Sequence, residues 1–179
     1  MVQSKTNPIL TGNERVLPSD DIIVSKTDLT GRITYGNRTF YDFAGLTESD
    51  CLGVQHNLIR HPDMPRAVFE LLWKTIASGH EIFAYVLNRS ANGDAYWVFA
   101  HVTPSRDTRG EITGYHSNRR SPDRALIDRH ILPLYQNLLQ IEQRESRPKD
   151  GLRASFQAVT DLLDQQKSTF NQFMFALET

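Results

Sequence analysis

Hydrophobic and β-branched positions first organise between residues 22 and 35. The run Ile22-Ile23-Val24-Ser25-Lys26-Thr27, the turn cluster Asp28-Leu29-Thr30-Gly31 and the second run Arg32-Ile33-Thr34-Tyr35 predict a β-hairpin. After Asn37 the period changes: Phe40, Phe43 and Ala44 recur at helical spacing, and Thr47-Glu48-Ser49-Asp50 opens a second short helix that ends at Leu52-Gly53. The clearest helix of this half runs from Pro65 to Ser78 and is closed by Gly79. Val68, Leu71, Leu72, Thr75 and Ile76 make its buried stripe, while Arg66, Glu70 and Lys74 lie outside. Three strand candidates follow, Ile82–Asn88, Ala95–Thr103 and Gly114–Arg119. Asn92-Gly93-Asp94 between the first two is a strong hairpin signal, because Asn and Gly tolerate positive φ at small cost. The longer, more polar stretch Arg106–Gly110 reads as a mobile surface loop.

Two strands, short helices, one longer helix and three strands define an α+β class. The expected architecture is an antiparallel five-stranded sheet with short helices on one face, and a pocket between the two layers. Residues 1–19 are polar, carry Pro8, Gly12 and Pro18, and read as an N-terminal arm or cap. Residues 20–121 form the domain, and residues 122–179 a helical linker and C-terminal helix. In that extension Leu126, Ile127, Ile131, Leu134, Tyr135, Leu138 and Leu139 form a stripe with an expected kink at Pro133. Arg144–Gly151 reads as a charged break, Leu152, Phe156, Val159, Leu162 and Leu163 as an amphipathic helix, and Phe170–Leu177 as an apolar tail.

Composition narrows the partners. A net charge of -1 on 179 residues gives no basic surplus for nucleic acid. A single cysteine, Cys51, excludes an intramolecular disulfide and a multi-cysteine metal centre, and fits a reducing cytoplasm. No run approaches the roughly 18 to 20 apolar residues of a membrane helix, and the first residues lack the apolar stretch of a signal peptide, so membrane insertion is not expected.

The segment with most chemical content is Asn57-Leu58-Ile59-Arg60-His61-Pro62-Asp63-Met64-Pro65. Pro62 fixes its own φ and pushes His61 toward an extended backbone, and Pro65 suits a helix's first turn, where its missing N–H is no loss. The result is a shaped loop presenting Arg60, His61 and Asp63. A capped helix start with surface charges is the equal alternative from local physics.

The order of elements, the Asp28-Leu29-x-Gly31-x-Ile33-Thr34-x-x-Asn37-x-x-Phe40 stretch, the loop above, the Trp73 helix and Asn88-Arg89-x-x-Asn92-Gly93-Asp94-x-Tyr96-Trp97 together resemble a PAS domain. Within that superfamily the motifs are similar to the sensory domain of Aer-type aerotaxis receptors over about residues 20–121. The resemblance implies an FAD-binding redox and oxygen sensor that reports to the chemotaxis machinery. It implies a flavin site at His56, Arg60, His61, Asp63, Trp73 and Asn88, with Asn37 as a weaker candidate. Arg60 has the fork geometry for a pyrophosphate, and Asn88 is an amide partner for the ring edge. Where such receptors carry Trp-x-Gly, this chain has Ile82-Phe83-Ala84, so Tyr85, Phe83 or Trp97 is expected to supply the missing aromatic.

Other chemistries weigh less. His101 and His116 on adjacent strands lack a third ligand for a metal site. In blue-light flavin PAS domains a reactive cysteine follows the Leu-Gly pair by three residues. His56 holds that place here and Cys51 precedes the pair, so a small buried thiol is expected. No nucleophile elbow, phosphate-binding glycine loop or zinc-protease helix is present, and the chain reads as a sensor without enzymatic activity. The expected output is contact through the C-terminal helices with a signalling protein such as a chemoreceptor or kinase, and a homodimer. The alternatives are a haem-based gas sensor ligated by His56, His61 or His101, and a cofactor-free interaction module.

Overall fold

A computed structural model describes residues 9–177; residues 1–8 of the expected arm lie outside the described residues. Its frame is an antiparallel sheet of β1 (Ile23–Thr27), β2 (Ile33–Gly36), β3 (Ile82–Arg89), β4 (Ala95–Arg106) and β5 (Ile112–Arg120), in the spatial order β2-β1-β5-β4-β3. The β1–β2 hairpin is set by Asp28, whose Oδ1 accepts from Thr30 N at 2.8 Å and Arg32 N at 2.9 Å. The β4–β5 connection is an exposed, tight turn at the expected place. Asp107 accepts from the N–H groups of Arg109 and Glu111, and Arg106 donates to the carbonyls of Gly110 and Gly79. Its polar residues bond their own backbone, as Asp does in turns.

Short helices cover one face of the sheet: α1 (Arg38–Ala44), α2 (Glu48–Cys51), a 3₁₀ turn at His56–Ile59, and α3 (Arg66–Ala77). Asn37 caps α1, and Thr47 with Asp50 forms a capping box on α2. α3 buries Ala67, Val68, Leu72 and Ile76, of which Leu72 and Ile76 face the sheet. Strand parity sorts the other wall. Ile23, Ser25, Val102, Ala100, Ser117 and Arg119 share the covered face, because Ser25 pairs with Ser117 and Ile23 with Arg119 in β1–β5, and Ser117 with Val102 and Arg119 with Ala100 in β4–β5.

The extension begins with α4 (Arg124–Leu126), opened by Asp123, and passes through a π turn at Ile127–Ile131 into α5 (Leu132–Arg144). Pro133 has no N–H for the preceding turn, and the interruption expected there takes the form of this wider turn just before it. α6 (Pro148–Gln166) starts at Pro148, so the expected break through Gly151 shrinks to residues 145–147. Gly151 lies inside α6 because the helix crosses α5 closely; a Cβ there would collide with the carbonyl of Glu142. The apolar tail is a helix, α7 (Phe170–Ala176), capped by Thr169 and Gln172. None of the helices among the described residues is long and apolar enough to cross a membrane.

β3 is an edge strand, and an uncovered edge invites unwanted pairing. Here it is sealed residue by residue. Phe83 N donates to Asn171 Oδ1 at 2.8 Å, Tyr135 Oη donates to the Tyr85 carbonyl at 2.7 Å, Leu87 N donates to Met64 Sδ at 3.4 Å, and His61 N donates to the Leu87 carbonyl at 3.4 Å. Three separate segments therefore close one edge. Tyr135→Phe loses a buried hydrogen bond and is expected to cost about 1 to 2 kcal/mol in urea unfolding, whereas Tyr35→Phe, at a residue 45% exposed, stays within about 0.5 kcal/mol. Equal effects of the two would show that the Tyr135 bond does not help hold the extension on the sheet.

Candidate functional site

The covered sheet face and α3 touch along only part of their length. Beside that contact lies a small cavity of about 60 Å³ that opens to solvent. Phe69, Leu72, Trp73 and Ile76 form the helix wall, and Val86, Ala100, Val102 and Tyr115 the sheet wall. Trp73 meets Tyr115 edge-on, with ring centroids 5.6 Å apart. Gly31 has φ +81°, and a Cβ there would come within 3.0 Å of the Trp73 ring. The β1–β2 turn therefore depends on glycine both for its backbone and to admit the indole.

Polar groups enter this apolar slot from inward strand positions. β1 supplies Ser25 and Thr27, β3 supplies Asn88, and β5 supplies Ser117 and Arg119. Thr27 Oγ1, Asn88 Nδ2, Ser117 Oγ and Arg119 Nη1 are buried and have no hydrogen-bond partner among the described residues. Most buried polar atoms in folded proteins are paired. Several such atoms around one cavity make it a candidate site for a molecule that carries acceptors.

Arg119 dominates the electrostatics. It is 4% exposed, and its Nη2 donates to Ser25 Oγ at 2.7 Å and to His56 Nε2 at 2.7 Å. A guanidinium has no acceptor, so His56 Nε2 must offer its lone pair and carry its proton on Nδ1. Burial pushes the Arg119 guanidinium down to about 10. Burial, and then the neighbouring Arg119 charge, push His56 from 6.5 down to about 3.

Arg60 also lines a second groove, together with His61, Arg66, Arg89 and Glu142. Arg60 reaches it from the shaped loop. Its backbone bridges to Asn88, its Nη2 donates to the Met64 carbonyl at 2.8 Å, and its guanidinium lies 4.7 Å from the Phe69 ring centroid. His61 Nδ1 accepts from Asp63 N at 3.1 Å, and burial holds the imidazole below its ordinary value, so it is neutral near pH 7.

The expected residues thus divide. His56, Arg60, Trp73 and Asn88 line the cavity together, and His61 lies in the adjoining groove. Asn37 does not reach the cavity; its amide accepts from Phe40 N and Val24 N and donates to the Ile22 carbonyl. Asp63 is exposed and backs His61 from outside. Tyr85 lies on the opposite sheet face with Phe99, as do Phe83 and Trp97, so none of them supplies the missing aromatic wall. Ile82 and Ala84 are the inward residues of the Ile82-Phe83-Ala84 triplet, paired with the cavity residues Val102 and Ala100. His101 bonds Glu81 at 2.7 Å on that outer face, and no group of His, Cys, Asp and Glu suited to a metal occurs among the described residues. Cys51 is buried in the core, where burial raises its thiol. Ser25, Thr27, Ser117, Arg119, Arg66 and Glu142 line the cavity or the groove and are not named by the motifs, and Arg89, which stands in a motif, lines the groove without having been expected there. The first four are signalled by polar residues at every second position beside Ile23 and Tyr115, a period that the motifs leave unused.

A five-stranded antiparallel sheet with helices on one face and a cavity between is the PAS arrangement. Residues 33–119, just under half of the chain, match the family model described as PAS fold, and this part of the chain has that fold. The Aerotaxis receptor of Escherichia coli (strain K12) is 39% identical over 134 residues, which are 74% of this chain and 26% of that protein. This bears out the resemblance to aerotaxis receptors; the chain spans about a quarter of that relative's length. Among solved structures, the dark structure of the blue-light photoreceptor Aureochrome1 LOV superposes with a TM-score of 0.54 at 24% identity, covering 65% of this chain and 86% of that one. A structure described as "Flavin Analogue Sheds Light on Light-Oxygen-Voltage Domain Mechanism" gives a TM-score of 0.55 at 19% identity, with 65% and 86% covered.

Because the folded chain disfavours protonated His56, the unfolded chain binds more protons between about pH 6.5 and about pH 3. The stabilisation is complete above that window and is lost as pH falls through it, with a ceiling of about 1.4 kcal/mol per pH unit from one group. His61 adds in the same direction. Urea unfolding at pH 7, 6 and 5 is expected to show a shallower loss for His56→Gln than for the parent chain. Parallel curves would contradict a buried neutral imidazole at this place.

Proposed function

We propose that this chain is a cytoplasmic redox-sensing PAS protein in which residues 20–121 hold FAD and the helices after Pro122 carry the signal to a chemoreceptor or kinase. The observation that carries the reading is the set of features gathered around Arg60, which lines both an apolar slot with unpaired polar atoms on its sheet wall and a separate groove lined by further arginines. A flavin dinucleotide has matching parts, an apolar ring system with a carbonyl and N–H edge, and a pyrophosphate. The Escherichia coli relative, named as an aerotaxis receptor, and the flavin analogue of a light-oxygen-voltage domain with the same fold support it.

In this reading Asn88 Nδ2 and Arg119 Nη1 donate to ring carbonyls, the hydroxyls of Ser117 and Thr27 complete the polar edge, and Trp73 with Leu72 and Ile76 packs the ring. Arg60, with Arg66 and Arg89, grips the phosphates. Bound flavin supplies reversible electron transfer in which the ring gains negative charge and protons. Arg119 then favours the more negative state, and neutral His56, hydrogen-bonded to it, feels that change directly. Any rearrangement follows from the difference in interaction energy between the two states.

Haem fits less well. The Nε2 lone pair of His56 is engaged by Arg119, Nδ1 of His61 by Asp63 N–H, and His101 faces away from the cavity. A cofactor-free module leaves the unpaired atoms without an account.

The purified chain, supplemented with flavin during expression, is expected to be yellow and to release FAD on denaturation. Asn88→Ala should weaken FAD binding about tenfold, the equivalent of about 1.4 kcal/mol. Asn37→Ala should lower stability by about 1 kcal/mol and leave affinity unchanged. A colourless parent chain that takes up no flavin under these conditions refutes the reading.

A further inference from the structure

The second groove lined by Arg60 has a wall from outside the PAS match. Glu142 of α5 is 6% exposed, and its carboxylate accepts from Arg66 Nε at 2.9 Å, from Ala67 N at 3.1 Å and from Ser155 Oγ at 3.1 Å. It therefore joins three elements: the first turn of α3, α5 itself, and α6. Pro65 gives α3 no side-chain cap, and Glu142 takes over that task from a distant helix. Gly151 lets α6 approach the Glu142 backbone as closely as it does. On the other side of Arg66, Leu152 of α6 lines the mouth beside Phe69 and Trp73.

The charge balance around this latch is uneven. Arg60, Arg66 and Arg89 line the same groove, with Glu142 as the carboxylate among its lining residues. A polyanion entering the groove approaches Glu142 as a like charge and competes with it for Arg66. Both effects weaken the bonds that hold α5 and α6 to α3.

We propose that Glu142 is a positioning residue that couples occupancy of the phosphate end of the site to release of the α5–α6 hairpin, so that the anionic end of a dinucleotide and Glu142 compete for Arg66. This rests on the reading of the groove as a phosphate site, and extends it from binding to output. Coupling of this kind is reciprocal: whatever loosens the latch must tighten anion binding by the same factor.

Hydrogen exchange of the full chain, read in peptides from 132–144 and 148–160, tests it with three probes: FAD, riboflavin, which has no phosphate, and inorganic pyrophosphate. FAD and pyrophosphate are expected to speed exchange in both peptides several-fold, and riboflavin to leave them unchanged. Glu142→Gln should show fast exchange without any probe and bind pyrophosphate roughly 5-fold to 10-fold more tightly. Ser155→Ala, a milder weakening of the same latch, should fall between the parent and that variant, and it decides the matter if Glu142→Gln fails to fold. The proposal is overturned if pyrophosphate does not bind, if it binds without changing exchange in the two helices, or if the variants leave its affinity unaltered. Failure of the flavin reading looks different: FAD and riboflavin leave no bound colour, while the pyrophosphate arm still judges the latch.

Discussion

A guanidinium inside a protein must be answered by something, and Arg119 is answered only in part. Burying a cation costs several kcal/mol unless its hydrogen bonds are met. Ser25 and His56 meet Nη2 of Arg119, while Nη1 is buried with no hydrogen-bond partner among the described residues. Much of the site follows from that constraint. His56 is held neutral, the 3₁₀ turn that carries it is tied to β1 and β5, and the sheet wall stays polar at its inner end where packing would otherwise close it. In the proposed function, the acceptors of the ligand answer the part of that cation which the protein leaves unpaired.

The same economy of parts joins the site to the extension. The loop that brings Arg60 to the mouth also places His61 and Met64 on the edge of β3, next to the bonds made there by Tyr135 and Asn171. The first turn of α3, beside that loop, is capped from α5 by Glu142. Movement of the mouth cannot leave the C-terminal helices undisturbed, because they share the strand edge and the start of α3. The helices after Pro122 are thus a second layer on the sensor's open edge.

Strand and helix periods make the architecture readable from the sequence: each predicted strand and the Trp73 helix is present, displaced by a few residues at its ends. The motifs name His56, Arg60, Trp73 and Asn88, and the fold brings these four to one cavity. What the sequence leaves open depends on contacts between distant segments. Parity sends Tyr85 away from the cavity, which is decided by the register of β3, and Arg119 into it, which the alternation with Tyr115 and Ser117 signals without proving. Asn37 reads as a ligand residue because a cap and a ligand contact use the same amide. Gly151 reads as a breaker until the close crossing at Glu142 gives it a place within a helix.

The most direct test of an incompletely paired Arg119 waiting for a ligand is urea unfolding of the parent chain and Arg119→Met, each with and without FAD. Removing an unanswered charge should leave the ligand-free variant at least as stable as the parent, and the gain on adding FAD, which follows mass action, should be largely lost. If Arg119→Met instead destabilises the ligand-free chain and keeps the full gain from FAD, the guanidinium is a structural brace and the account is wrong.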